Sequence, residues 1–423
     1  MKKSLLHLLW GSLIMTLLLC SCDKDTPEQP HYPPRPHPAI ADQTLMVYLS
    51  GQDLIGFFRA NVQSMQQVVN NYMLKDSRLL VFSQPTQKES LVVEYSFDYN
   101  SQRCVADTLL CYSYFCSTTS DGIQRILSAM ANVAPAKQYG LIMGSHATAW
   151  VPSHFEFLAP NAVGKSSSTD NIWQKAEGAD VTRWFGLDQD QRTDITALAK
   201  GIADSKISFE YLIFDACFMS NIETLYDLRH SAKQIVASPC EVMGKGFPYE
   251  RILPYLLTEE GRSYDLQQVC YNFYDYYAHT TETRQSGCIA LTNCAEIDAL
   301  AATMRQINST ASTACDYKIL QKYDGLHQYD WDQGIYTDRP LFFDLGDYVR
   351  ALTPAPAALQ AFEAQFEATF PKESRLYTPS FYSAFDNAEH PINSYSGVSI
   401  STPTPNVEHA AANKETAWYK ATH

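Results

Sequence analysis

FEYLIFDACFMSN, Phe209–Asn221, is an apolar run of strand length that passes through Asp215-Ala216-Cys217 straight into a polar, helix-starting sequence. A short continuous apolar run closed by a helix-start signal reads as a strand buried on both faces. The cysteine at its end has two readings. It is either a small core residue, free Cys being among the most buried types, or a nucleophile presented at the rim of a sheet. Upstream, YGLIMGSHA, Tyr139–Ala147, is built the same way and carries His146 at its end.

The same grammar runs outward from these two runs. TLMVYLSG (Thr44–Gly51) and RLLVFSQP (Arg78–Pro85) read as strands, separated by the helical pattern FFRANVQSMQQVVNNY. SLVVEYSFDY and VADTLLCYSYF alternate more strictly, which predicts an antiparallel excursion at a sheet edge. A helix is expected from Ser120 through Ala131, and another over TDITALAKGIAD with Thr193 or Asp194 as cap. SNIETLYDLRH reads as a helix capped by Ser220, KQIVASP as a strand and SYDLQQVCYNFYDYYAHT as a helix. GCIALTNC and AEIDALAATMRQI add a last strand and helix. Short apolar strands alternating with helices predict an α/β fold: a mostly parallel central sheet covered on both faces, with C-terminal elaborations. In such sheets ligands meet the carboxyl ends of the strands, where His146 and Cys217 both fall. A thiol needs a nearby base to attack at neutral pH, and histidine is its usual partner.

The chain begins MKKSLLHLLWGSLIMTLLLCSC, two lysines and then an apolar run of signal-peptide length, too short for a membrane span. Leu19-Cys20-Ser21-Cys22 resembles a bacterial lipobox, with Cys22 as the acylated first mature residue; Cys20 would put Leu19 where a small residue is needed. An ordinary cleaved signal is the alternative. The proline-rich DKDTPEQPHYPPRPHPAIADQ that follows reads as an extended tether. Its leading acidic residues resemble the export signals of surface lipoproteins. The expected organisation is a signal peptide over 1–21, a tether over 22–43 and one domain over 44–423. The location expected is the outer membrane or cell surface, with a lipid anchor as the only membrane contact and a monomer as the state.

A net charge of −14 argues against nucleic acid as a partner and suits cationic substrates. Eleven cysteines, Cys20 and Cys22 included, show no CxxC pair and no zinc spacing, so buried thiols are the default, with disulfides left open. His154 and His279 show no metal-ligand spacing, and no GxGxxG or P-loop is present. DQDQRTD (Asp188–Asp194) alternates acids but lacks the glycine and terminal glutamate of a calcium loop. The aromatic stretch Lys322–Phe343 reads as a loop packed on the domain rather than a binding strip.

GSHATAW (Gly144–Trp150) and FDACFMSNIE (Phe214–Glu223) resemble the two signature blocks of the clostripain family of caspase-like cysteine peptidases. VASPCEVMGKGFPY, WFGLDQDQRTDITALAKGI and YSGVSISTP resemble further stretches of it, so the likeness runs from Thr44 to about Pro403. The resemblance implies a cysteine endopeptidase acting on proteins or peptides, with Cys217 as nucleophile and His146 as base and then acid. It further implies an oxyanion hole from the backbone N–H groups of Cys217 and Ala147. Asp215 would line the first specificity pocket, favouring arginine or lysine, and the loop carrying Glu241 and Lys245 would complete that pocket. Lys245 is placed to neutralise Asp215 in that reading. The family has glycine where Ala147 and Ala149 stand, which matters if either needs a positive φ. Calcium dependence occurs in the family, and no other cofactor is implied. The alternative is a catalytically weak or inactive relative serving as a surface lipoprotein in binding or nutrient capture.

Overall fold

The computed structural model describes residues 39–423 apart from 73, 87, 154–172, 174–175, 182–192, 312–313 and 331–334. The signal segment, Cys20, Cys22, most of the tether, His154 and most of Asp188–Asp194 therefore lie outside the described residues.

In chain order the central elements are β1 Ala41–Leu49, α1 Ile55–Tyr72, β2 Ser77–Thr86, β3 Glu89–Asp98, β4 Arg103–Ser113, α2 Ser120–Val133 and β5 Ala136–Gly144. Then come α3 Ile195–Asp204, β6 Phe209–Asp215, α4 Ile222–Leu228, β7 Ala232–Ala237, α5 Tyr249–Leu256, α6 Leu266–His279, β8 Ala290–Asn293 and α7 Ile297–Thr310. The strands form one sheet in the order β4-β3-β2-β1-β5-β6-β7-β8. β2, β1, β5, β6 and β7 run parallel to their neighbours in this series. The β3–β4 pair is antiparallel at one edge, as its alternating sequence predicts.

The parallel strands are apolar throughout because both faces are covered. Leu45, Val47, Ile142, Ile213 and Val236 face a core shared with α1, α5 and α6. Their neighbours Met46, Tyr48, Leu141, Met143, Leu212 and Phe214 face a second core shared with α2, α3, α4 and α7. In α2 the spacing of Ile123, Ile126, Leu127 and Met130 puts one apolar stripe onto the sheet, and Thr119 caps it by accepting from the Gly122 N–H.

Several details differ from the sequence reading. β1 starts at Ala41, not Thr44, because its polar Gln43 is buried and satisfied, donating to the Tyr211 hydroxyl and the Leu256 carbonyl. Asn221, not Ser220, caps α4: its Oδ1 accepts from Thr224 N, while the Ser220 hydroxyl donates to Gly397 O. Asp194 stands at the N-cap of α3 but accepts from Ser153 N instead of the helix. β8 runs antiparallel to β7, since two helices, α5 and α6, return the chain to the far end of the sheet. Beyond α7, the short pair Phe343–Asp344 and Ser399–Ile400 docks behind α4, with Asn221 bridging to Ser399.

Candidate active site

The chain leaves β1 toward β2 on one side and β5 lies on the other, so a topological switch point falls between β1 and β5. Register decides what meets there. Gly144 at the end of β5 pairs with Asp215 at the end of β6, and two residues beyond each stand His146 and Cys217. Adjacent strands are about 4.8 Å apart, so the two side chains emerge beside each other. The ladder persists into the loops: Ser50 N donates to Gly144 O at 2.9 Å and Ser145 N to Asp215 O at 3.4 Å.

His146 is packed in, with its side chain only 4% exposed, and its Nε2 lies 2.9 and 2.8 Å from the two carboxylate oxygens of Asp53. Asp53 sits in a single 3-10 turn, Gln52–Leu54, just after β1. Gly51 makes that turn with a φ of +137°, a conformation that L side chains rarely adopt. The pairing leaves Nδ1 as the ring nitrogen not committed to Asp53. Nothing in the sequence reading singled out Asp53. The available signal was its position, an acid two residues past a strand-ending glycine on the strand beside β5.

Cys217 is fully buried. Its Sγ accepts the Val242 N–H at 3.2 Å and lies 3.8 Å from the Val242 carbonyl oxygen. Phe218 follows in the left-handed region at φ +60°, a sharp turn held by its N–H to Cys240 O at 3.0 Å and by its ring stacked 4.6 Å from Phe342. Val242 belongs to the loop after β7, and the Gly244 N–H of this loop donates to Val181 O at 2.6 Å. The loop thus lies over the sulfur and is itself tied to the segment 176–181.

Asp215 is buried on the same side as Cys217, its Oδ2 accepting from the Tyr249 hydroxyl at 2.8 Å. Lys245 does not neutralise it. The Lys245 ammonium pairs instead with Glu282 and lies 5.1 Å from the Tyr276 ring centroid. Glu241 is buried and accepts from Ser383 Oγ at 2.6 Å and Ala384 N at 3.0 Å, so its carboxylate braces the turn after residue 380. Of the two alanines standing for glycine, Ala149 is left-handed at φ +54° whereas Ala147 is not among the positive-φ residues. The alanine at 147 therefore carries no conformational penalty, and the strain falls two residues further on.

Behind the Cys217 turn, the Glu223 carboxylate accepts from Ser401 N at 3.0 Å and from the side-chain amides of Asn413 at 2.8 Å and Asn221 at 2.7 Å. Burial pushes its carboxyl above the usual range. On the face of the sheet away from Asp215, a cavity of about 830 Å³, counted to its open mouth, adjoins His146 among the ends of β1, β5 and β6. Among the described residues no group of three or more His, Cys, Asp or Glu is placed to hold a metal, and no helix is long and apolar enough to cross a membrane.

A sequence profile of the clostripain family matches residues 167–373. No curated protein matches the chain. Among solved structures, a secreted C11 cysteine protease from Bacteroides thetaiotaomicron, iotapain, is similar at 32% identity, covering 91% of this chain and 100% of that one with a TM-score of 0.75. Two others share the fold at lower identity. A second secreted C11 cysteine protease from B. thetaiotaomicron, in complex with an irreversible peptide inhibitor, is 19% identical over 90% of this chain and 99% of its own, with TM-score 0.71. An inactive zymogen C11 protease from Parabacteroides distasonis is 23% identical over 91% and 99%, with TM-score 0.71. With 32% identity over the whole of the first of these and the profile match beside it, this chain belongs to the clostripain family of cysteine peptidases.

Proposed function

We propose that this cysteine peptidase is a lipid-anchored endopeptidase acting outside the cytoplasm and cutting after arginine or lysine, with Cys217 as nucleophile and His146 as proton carrier. The observation that supports the pairing is the register of Gly144 with Asp215, two residues short of His146 and Cys217 respectively. The Cys217 thiolate attacks the scissile carbonyl carbon, and the N–H groups of Cys217 and Ala147 receive the developing oxyanion. His146 protonates the leaving amine as the C–N bond breaks, leaving a thioester. Water then gives a proton to His146 and its hydroxide to the thioester carbon, which frees the acid and restores the thiolate. Attack first requires the loop carrying Val242 to lift, because Cys217 is buried beneath it.

Asp215 supports the basic preference. It faces the side of Cys217, and Lys245 is engaged elsewhere. A substrate guanidinium would share its carboxylate with the Tyr249 hydroxyl. The secreted relative supports a place outside the cytoplasm, and Cys22 with the proline-rich tether supports the lipid anchor.

The burial of Cys217 favours one second reading, a relative whose thiol stays covered and whose surface serves in binding. An arginyl acyloxymethyl ketone decides between them. Covalent capture that Cys217→Ala abolishes is the expected result, and an unlabelled native protein would favour the second reading. Asp215→Asn is expected to lower kcat/KM for arginyl substrates by about one to three orders of magnitude, since an unmatched charge costs about 2–5 kcal/mol. Equal losses on uncharged substrates would remove the basic preference. For the anchor, Cys22→Ser is expected to abolish detergent partitioning and Cys20→Ser to preserve it; equal behaviour of the two variants would refute acylation at Cys22.

A further inference from the structure

We propose that the cavity beside His146 receives the side chain that follows the scissile bond, and that it selects a neutral, medium-sized apolar residue such as leucine or methionine there. The inference rests on the dyad reading of His146 and Cys217 and extends it to the leaving side of the substrate. Alternation along β6 carries the argument. Phe214 and Ala216 line the cavity, whereas Asp215 and Cys217 project to the other face of the sheet. An extended peptide crossing the strand ends alternates in the same way. If the residue before the cut turns toward Asp215, the next residue turns toward the cavity. That residue carries the leaving amine, which must come to His146, and His146 is itself on the cavity wall.

The chemistry of the lining sets the class of side chain. Met143, Phe214, Met219 and Ile123 supply apolar walls, with Thr118 and Thr193 also on the lining. Among the described residues the titratable ones on the lining are His146 and Tyr48, and the Tyr48 hydroxyl already donates to Ser117 O at 2.6 Å. Ser50 and Ser117 are bonded to each other at 3.0 Å, and Ser117 also donates to Gln84 at 2.9 Å. Among the described residues the lining offers no fixed charge to a charged side chain stripped of water here, whereas an apolar one gains by burial.

Acyl transfer isolates this side of the substrate. An arginyl ester loads Cys217, and an added amino-acid amide then competes with water for the thioester. The acceptor nitrogen bonds to the acyl carbon, the C–S bond breaks, and the amine proton passes to His146. Leucine amide is expected to be captured about tenfold or more in preference to glycine amide or glutamate amide, the scale set by one buried aliphatic side chain. Thr118→Trp is expected to collapse the leucine-to-glycine ratio toward one, and Ile123→Ala to shift preference toward phenylalanine amide. Each is read as a ratio within one enzyme, so overall activity cancels. Equal capture of all acceptors, a preference for glutamate amide, or a ratio that neither variant moves would overturn the subsite. Failure of the ester to load Cys217 at all, seen also as no ketone labelling, would overturn the dyad reading and the subsite with it.

Discussion

Removing the charge of Asp53 is the sharpest test of how this site works. Its carboxylate lies 2.8 Å from His146 Nε2. At that distance a full ion pair is worth about 1.5 kcal/mol at the dielectric of water and about 6 kcal/mol at an effective dielectric of 20. The two partners differ in surroundings: the Asp53 side chain is 62% exposed and the His146 side chain 4%. An exposed carboxylate is screened, so the contribution belongs near the lower figure, about 1–2 kcal/mol. That interaction exists only while His146 carries its proton, the state that in the proposed mechanism delivers it to the leaving amine. Asp53→Asn keeps an acceptor for the ring N–H but drops the charge, so kcat is expected to fall about 5- to 30-fold with KM little changed. Asp53→Ala also loses the acceptor and is expected to fall further, to about 30- to 150-fold. Glutamate at 53 is expected to restore part of the loss. The assay is steady-state hydrolysis of an arginyl peptide, with thermal melting as the control, which Asp53 should barely move because it is exposed. Activity within twofold of wild type in both the Asn and Ala variants, or an effect confined to KM, would refute a role for Asp53 in holding His146.

Other perturbations test the frame. Gly51→Ala forces a side chain into φ +137°, a strain of about 1–3 kcal/mol, at the turn that carries Asp53; stability should drop by that amount in denaturant melts and activity should drop more than stability explains. A variant with wild-type activity and stability would show that the turn relaxes freely. Two buried groups set opposing acid responses. Burial raises Asp324 from 3.8 to about 6, even though the Leu326, Leu341 and Phe342 N–H groups donate to it. It therefore prefers the folded state as a neutral acid, and that stability, about 3 kcal/mol, is present below pH 3.8 and is lost as pH rises to about 6. Burial lowers His409 from 6.5 to about 4, so its contribution, about 3 kcal/mol, is present above pH 6.5 and lost as pH falls to about 4. The two nearly cancel in the native chain. Relative to wild type, His409→Leu should be more stable at pH 4.5 than at pH 6.5, and Asp324→Asn the reverse; pH-independent differences in urea midpoints would contradict both assignments.

What the sequence made legible follows from period and position. Apolar runs announced the parallel strands, alternation announced β3 and β4, and His146 and Cys217 stood out because each follows such a run. What it hid depended on contacts between distant residues. α5 escaped notice because Pro254 lies inside it and breaks the helical pattern. Asp53 is one acid in a loop until β1 is laid against β5. The partners of Glu241 and Lys245 were hidden for the same reason: their place in the loop after β7 says nothing of Ser383 or Glu282, far along the chain, to which they bond. YSGVSISTP resembles the family's late strand, and Ser399–Ile400 is one, but its pairing with Phe343–Asp344, more than fifty residues away, could not be read from the sequence.

The span of the family profile, 167–373, omits both ends of what holds this site together. His146 and Asp53 precede it, and with them the β1–β5 switch point at which the crevice opens. Ser399, Ser401 and Asn413 follow it: Ser401 N and the Asn413 amide donate to Glu223 behind the Cys217 turn, and Ser399 Oγ accepts from the Asn221 amide at 3.3 Å. Trp150 joins them from the histidine loop, its indole N–H donating to Ser401 Oγ at 2.7 Å. Ser401 therefore touches the loop after His146 and the helix after Cys217 at once. A buried carboxyl that loses a donor is costly, commonly about 1–3 kcal/mol for each group left unsatisfied. The C-terminal strand and helix are thus bound to the relative position of the two strand ends, and the cysteine cannot shift against the histidine without breaking bonds to residues some 180 positions away. Cys217, His146 and the C-terminal elements are thereby tied into one mechanical unit, and in the proposed mechanism the loop over Val242 is the part that moves.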